Sequence, residues 1–171
     1  RLYANIFEQT TEAILVTDQN NRIVQVNQAL EQITGYSFAE LRGHTPSILA
    51  SGQTPDATYR ALWTALTDTG HWQGELWDRR KDGVIYPKWT NISPIRDASG
   101  QPIYYLALFT DITERKHAEE RIRHLAHHDK LTGLSNRHSL QERLGQVLAS
   151  AQYADTLLAV LFIDLDRFKN I

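Results

Sequence analysis

The sequence predicts an α+β fold: a five-stranded antiparallel sheet with short helices on one side, then a linker helix, a further helix and an apolar strand. Three observations carry this. Short runs with alternating apolar residues occur twice before residue 28 and three times after residue 71, the period of half-buried strands. Between them, Tyr59, Leu62, Trp63 and Leu66 recur at i, i+3, i+4 and i+7, one apolar stripe of a helix. After residue 112 the chain turns strongly charged, without Gly or Pro, as far as residue 128.

Residues 13–18 form the first predicted strand. Asp18, Asn20 and Asn21 mark a turn, since their side chains bond back to the local backbone. Residues 22–27 return as the second strand of a hairpin. Residues 28–35 form a short helix ending at Gly35, and Ser37 with Glu40 is a capping-box pair opening another. Residues 43–55, rich in Gly, Pro, Ser and Thr, are read as loop, and 56–68 as the clearest helix. Residues 72–80 and 84–95 are strands joined by the turn Lys81-Asp82-Gly83. A turn over 96–101 leads into an apolar strand at 102–110. Residues 113–128 form the linker helix, with Ala118, Ile122 and Leu125 at coiled-coil spacing. Residues 137–148 form a further helix. Residues 156–166, a continuous apolar run ending in carboxylates, predict a strand buried on both faces.

Composition excludes several classes. Of the 171 residues, 42% are hydrophobic and 22% charged, as in ordinary globular chains. A net charge of −2 gives no electrostatic case for nucleic acid or an anionic membrane surface. The absence of cysteine removes disulfides, thiolate catalysis and Cys-based zinc sites. The longest apolar run, 157–163, is far short of the roughly 20 residues a membrane span needs. No signal peptide is visible, so a cytoplasmic segment without membrane contact is expected. The chain begins at Arg1 and has no methionine, and is expected to be a piece of a longer protein, with an upstream anchor left open.

Several motifs together resemble a PAS sensor domain, in order and spacing, across residues 4–115. They are the strand at 14–18, Ile33-Thr34-Gly35-Tyr36-Ser37, Trp72-Gln73-Gly74-Glu75, Arg79-Arg80-Lys81-Asp82-Gly83 and Asp111-Ile112-Thr113-Glu114-Arg115. The resemblance implies a PAS fold over 1–112, a sheet cupping a pocket that senses ligand, redox state or light, or serves dimerisation. Residues 113–128 are then a signalling linker. Asp129-Lys130-Leu131-Thr132-Gly133-Leu134-Ser135-Asn136-Arg137 resembles the opening of a GGDEF domain, and residues 162–171 its first metal-binding strand. Residues 129–171 are thus expected to be an incomplete α/β segment, the first part of a diguanylate cyclase, ending before the GGDEF motif, with no complete catalytic set.

On chemistry alone, Asp164 and Asp166 share one face of a strand. They could hold Mg²⁺, an oxygen-seeking ion, or simply belong to a polar loop or helix cap. The resemblance implies that Asp164 and the Leu165 carbonyl bind Mg²⁺ in the complete cyclase and that Lys169 faces the GTP triphosphate. Two GTP would yield cyclic di-GMP, in a homodimer formed through the PAS domain and linker helix. Asp129 is expected to fix the junction after the linker, and Asn136 or Ser135 to cap the next helix. His127-His128 is followed by Asp-Lys-Leu-Thr-Gly, not by the Glu-Leu-Arg-Thr-Pro of phosphoaccepting kinases, so these histidines are read as solvated.

The stripe makes Trp63 a core tryptophan. The stretch Ser47-Ile48-Leu49-Ala50-Ser51-Gly52, Thr54-Pro55 and Tyr59 to Trp63 also resembles FAD-binding PAS domains, which implies Trp63, Asp78 and Asn27 as pocket positions. Asp78 stands where flavin binders carry an asparagine, and Lys88 replaces a second amide. A carboxylate only accepts hydrogen bonds, and its burial is costly. The pocket is therefore read as ligand-free or holding a small molecule, with FAD as the alternative. Helix 56–68 has no histidine to ligate haem.

Overall fold

The computed structural model describes residues 2–154, 157–161 and 163. The chain divides into two compact units, Arg1–His117 and Ala118–Ile171.

In the first unit, strands β1 (Ala13–Asp18), β2 (Ile23–Val26), β3 (Trp72–Arg79), β4 (Ile85–Arg96) and β5 (Pro102–Asp111) form one sheet in the order β2-β1-β5-β4-β3. Every neighbouring pair is antiparallel. The hairpins β1–β2 and β3–β4 lie at the two edges, and β5 inserts between β1 and β4. Asp18 builds the first turn: its Oδ1 accepts from the Asn20 and Arg22 amides, both at 2.9 Å.

The helices α2 (Gln28–Thr34), α3 (Phe38–Leu41) and α4 (Asp56–Asp68) all fall between β2 and β3. Gly35 closes α2 in the left-handed region at φ 76°, its amide donating to the Glu31 carbonyl. The Ser37–Glu40 capping box is formed. The stretch expected to be all loop contains a 3₁₀ turn, Pro46–Leu49, with proline at its first position.

A helix that the sequence pattern did not reveal, α1 (Leu2–Gln9), precedes β1. It is tied in through Asn27, whose side chain is fully buried. Asn27 Oδ1 accepts from the Ile14 amide at 2.9 Å and the Leu30 amide at 3.1 Å. Its Nδ2 donates to the carbonyls of Phe7 at 3.2 Å and Glu12 at 2.9 Å. One amide thus caps α2 and bonds to β1, the end of α1 and the segment between them.

The apolar core has two parts. Ala13, Leu15, Ile23, Val26, Leu30, Leu41, Leu49 and Phe109 form one cluster. Leu62, Leu66 and Leu76 form the other, where α4 meets β3.

Helix α5 (Thr113–His127) runs from the first unit into the second, which contains α6 (Arg137–Ala154). α6 continues past residue 148 because the residues that follow contain neither Gly nor Pro to stop it. Asp129 Oδ1 accepts from the Leu131 and Thr132 amides and the Thr132 hydroxyl, which holds its carboxyl below the usual carboxylate range. Asn136 caps α6 by accepting from the Ser139 amide and donates to the Ala126 carbonyl near the end of α5. The strand expected at 156–166 is not seen: residues 157–161 and 163 are irregular, and the rest of that stretch lies outside the described residues. A strand needs a neighbour for its backbone groups, and no described residue pairs with these.

Because Asn27 serves four backbone groups at once, Asn27→Ala should cost about 2–4 kcal/mol of stability. Urea unfolding of wild type and variant, followed by circular dichroism, checks this; a loss below the lower figure contradicts the hub role.

Candidate functional site

Between the sheet and α4 with the 3₁₀ turn lies a cavity of about 320 Å³. Side chains two apart on a strand share a face, so each strand sends alternate residues into it. β1 contributes Leu15 and Thr17, β3 Leu76 and Asp78, β4 Lys88, Thr90 and Ile92, and β5 Tyr105, Ala107 and Phe109. α4 contributes Tyr59, Leu62, Trp63 and Leu66, the whole stripe read from the sequence. The stripe faces a space rather than a filled core. Leu62 and Leu66 are buried, but Trp63 is 42% exposed, its ring edge-on to Tyr105 with centroids 5.7 Å apart. The core-tryptophan reading is corrected: Trp63 stands at the cavity rim.

Asp78 and Lys88 both reach the cavity and form an ion pair, with Nζ 2.5 Å from Oδ2 and the side chains 10% and 5% exposed for Lys88 and Asp78. Lys88 Nζ also lies 4.3 Å from the centre of the Phe109 ring. Burial pushes the Asp78 carboxyl up, and Lys88 opposes this. The contact is close, but Oδ2 has no aligned hydrogen-bond donor among the described residues. The hydroxyls of Thr17 and Thr90 likewise have no partner there. Sequence reasoning did not single out these threonines; the available signal was a polar residue at an inward position of an apolar strand.

Asn27, expected at the pocket, does not line it. All four of its polar contacts go to backbone, so no polar group of Asn27 remains for a ligand. Asp164, Leu165 and Lys169 lie outside the described residues. Among the described residues no group of three or more His, Cys, Asp or Glu is placed to hold a metal ion, and no helix is long and apolar enough to cross a membrane.

A second polar cluster sits where the sheet leads into α5. Arg80 pairs with Asp111 and donates to the Ile33 carbonyl, its guanidinium 4.3 Å from the centre of the Tyr86 ring. Burial raises the Tyr86 phenol well above its ordinary value. Asp111 Oδ1 accepts from the Thr113 amide at 2.8 Å and the Thr113 hydroxyl at 2.6 Å, capping α5. Ile112 is buried, and Lys116 pairs with Glu75 at 2.8 Å beside Trp77.

An antiparallel sheet over a ligand-sized cavity, with its last strand capping an exit helix, defines a small cavity-bearing α+β module. The chain belongs to the PAS fold family, whose model matches residues 1–112. The model for the diguanylate cyclase, GGDEF domain matches residues 126–171. A nitrogen fixation regulatory protein of Klebsiella oxytoca is 36% identical over 122 residues, 71% of this chain and 25% of that protein. The cyclic di-GMP phosphodiesterase PdeR of Escherichia coli K12 is 26% identical over 167 residues, 97% of this chain and 25% of that protein. Among solved structures, a PAS domain from Colwellia psychrerythraea superposes with a TM-score of 0.63 at 28% identity, covering 67% of this chain and 97% of that one. The chain thus spans about a quarter of the length of these two curated relatives.

Removing Lys88 would strand a buried charge, which costs about 3–5 kcal/mol. Lys88→Met is expected to be destabilised at pH 7 and to recover as the pH falls. The folded-state Asp78 pKa is raised above its unfolded value, so this group's contribution is fully favourable below the unfolded pKa and is lost as pH rises through the folded one. Adding Asp78→Asn should restore stability at pH 7. Denaturant titrations at pH 5 and pH 7 measure both; a Lys88→Met deficit independent of pH would contradict the pairing.

Proposed function

We propose that this chain is the sensory input region of a cyclic di-GMP signalling protein, in which the PAS domain controls a diguanylate cyclase through residues 113–128. The succession of the two family matches supports this, as does the relative aligned over 97% of the chain whose name places it in cyclic di-GMP turnover. The single observation that carries the coupling is the clamp on the first turn of α5. Arg80, just past the end of β3, pairs with Asp111, which bonds Thr113. Lys116 pairs with Glu75 within β3, so that turn is tied to the strand and to its end. A shift of β3 against β5 is therefore felt by the helix.

In the complete cyclase, Asp164 and the Leu165 carbonyl would hold Mg²⁺ and Lys169 would contact the GTP triphosphate. Magnesium bound there would supply charge stabilisation as one GTP 3′-hydroxyl displaces pyrophosphate from the α-phosphate of the other. Each cyclase domain holds one GTP, so two copies must meet. The exposed Ala118, Ile122 and Leu125 on α5 form the seam for that meeting, with Ile122 67% exposed.

A flavin is a second reading of the cavity. The donor set fits its ring: Lys88 donates, Asp78 accepts, and Trp63 offers an aromatic wall.

Two measurements test the main reading in a chain extended through the whole cyclase domain. Asp164→Ala should abolish cyclic di-GMP formation from GTP and weaken GTP binding in the presence of Mg²⁺; normal turnover would refute the metal role. Asp111→Asn weakens the Arg80 pair without touching the cyclase. It should shift basal cyclase rate by about tenfold, the effect of a coupling energy near 1.4 kcal/mol. An unchanged rate would refute transmission through the clamp.

A further inference from the structure

We propose that His124 and His128, four residues apart where α5 ends, form a two-imidazole site for a divalent late transition ion such as Zn²⁺ or Cu²⁺. The site lies wholly in the second unit and requires neither the cavity nor a complete cyclase.

The backbone places the two rings. The His128 amide donates to the His124 carbonyl at 2.8 Å, so helical geometry carries one residue past His127, the last residue of α5. Residues four apart on a helix share a face. The rings are stacked there, with centroids 4.4 Å apart and planes 12° from parallel. Two nitrogens that each bind one ion at about 2.0–2.1 Å, on neighbouring corners of its coordination sphere, lie roughly 3 Å apart. Rings stacked at 4.4 Å reach that spacing by tilting one edge together, with the backbone unmoved. His124 is exposed and His128 half-buried, which leaves the other coordination positions to water.

A second observation points to a ligand. His128 Nδ1 lies 3.0 Å from the Gly133 carbonyl. A carbonyl only accepts, so Nδ1 carries the proton and the neutral ring keeps its lone pair on Nε2. A ring N–H held by a backbone carbonyl is the support that metal-ligating histidines use: it fixes tautomer and orientation and makes the other nitrogen more basic. That carbonyl is itself held, because the Gly133 amide donates to the Asp129 carbonyl at 2.9 Å. His127 is engaged elsewhere, its Nδ1 2.9 Å from the Ser139 hydroxyl at the start of α6.

The donor set selects the ion. The chain has no cysteine, so the site offers imidazole nitrogen without thiolate. Imidazole suits zinc, copper and nickel, whereas magnesium and calcium take oxygen ligands. Charge favours a cation here. The last carbonyls of α5 present the negative end of the helix dipole, and hydrogen bonds hold the neighbouring Asp129 carboxyl below the usual carboxylate range. A bound ion staples the last turn of α5 to the loop that orients His128.

The test uses the whole chain at pH 7.5 in a buffer that does not chelate. Calorimetric titration with Zn²⁺ should show one micromolar site that a large excess of Mg²⁺ does not displace. The electron paramagnetic resonance spectrum of the Cu²⁺ form should show two nitrogen ligands. His124→Ala should weaken Zn²⁺ binding by about tenfold or more and leave one nitrogen on Cu²⁺. Its circular dichroism should match wild type, since the ring is exposed. His138→Ala and His117→Ala, at exposed histidines outside the pair, should leave both readouts unchanged. No saturable Zn²⁺ uptake by folded wild type, displacement by Mg²⁺, undiminished affinity in His124→Ala, or an equal loss in His138→Ala or His117→Ala overturns the proposal.

Discussion

A sheet in water has to cover one face, and the cover available between β2 and β3 is short. α2, α3 and the 3₁₀ turn pack with β1, β2 and Phe109, and α4 packs with β3 and β4. Between these two packed regions the inward face of the sheet is left over a cavity, and the chemistry of the first unit follows from that gap. Strand alternation decides which residues face it. A lone charge there would be prohibitive, so Asp78 and Lys88 occur as a pair, with the ammonium also against the Phe109 ring. Such a pair does little for stability by itself. Its consequence is a cavity floor that is polar without being charged.

From that floor the charges continue toward the exit helix. Asp78 lies on β3, and Arg80 follows directly after its last residue. In the register, Asp78 lies opposite Tyr86 and Lys88 opposite Asp111. Acid and base therefore alternate along the ladder: Asp78, Lys88, Asp111, Arg80. Whatever engages Asp78 also bears on Lys88, whose cross-strand neighbour is the residue that caps α5. Two ion pairs and one cross-strand pairing thus run from cavity to helix. Arg80 adds a third party by bonding the Ile33 carbonyl near the end of α2.

The strands were legible in the sequence because alternation over a half-buried sheet is a local signal, as in residues 13–18 and 102–110. The stripe of α4 was equally plain. What local pattern could not reveal was whether the space under the stripe is filled, so Trp63 read as core and stands at a rim. Asp78 and Lys88 could each be noticed as unusual residues, but their pairing needs the β3–β4 register. Asn27 was the opposite case. An inward polar residue resembles a ligand contact until its partners are known, and these lie 3, 13, 15 and 20 residues away. α1 stayed hidden for the same reason, since an amide on another element holds it. The apolar run at 156–166 showed the right composition for a strand, but its described residues pair with no described neighbour.

The linker helix closes the physical chain. α5 has 15 residues and none is buried, a length at which an isolated helix is marginal in water. Its support is concentrated at the termini. Asp111 caps the start through Thr113, and Asn136 bonds the Ala126 carbonyl at the end. Between them the apolar seam of Ala118, Ile122 and Leu125 stands exposed. With no buried residue among those described, α5 has little packing along its body to resist rotation. In the proposed dimer, a second copy of the same helix would be the complement that such a stripe fits.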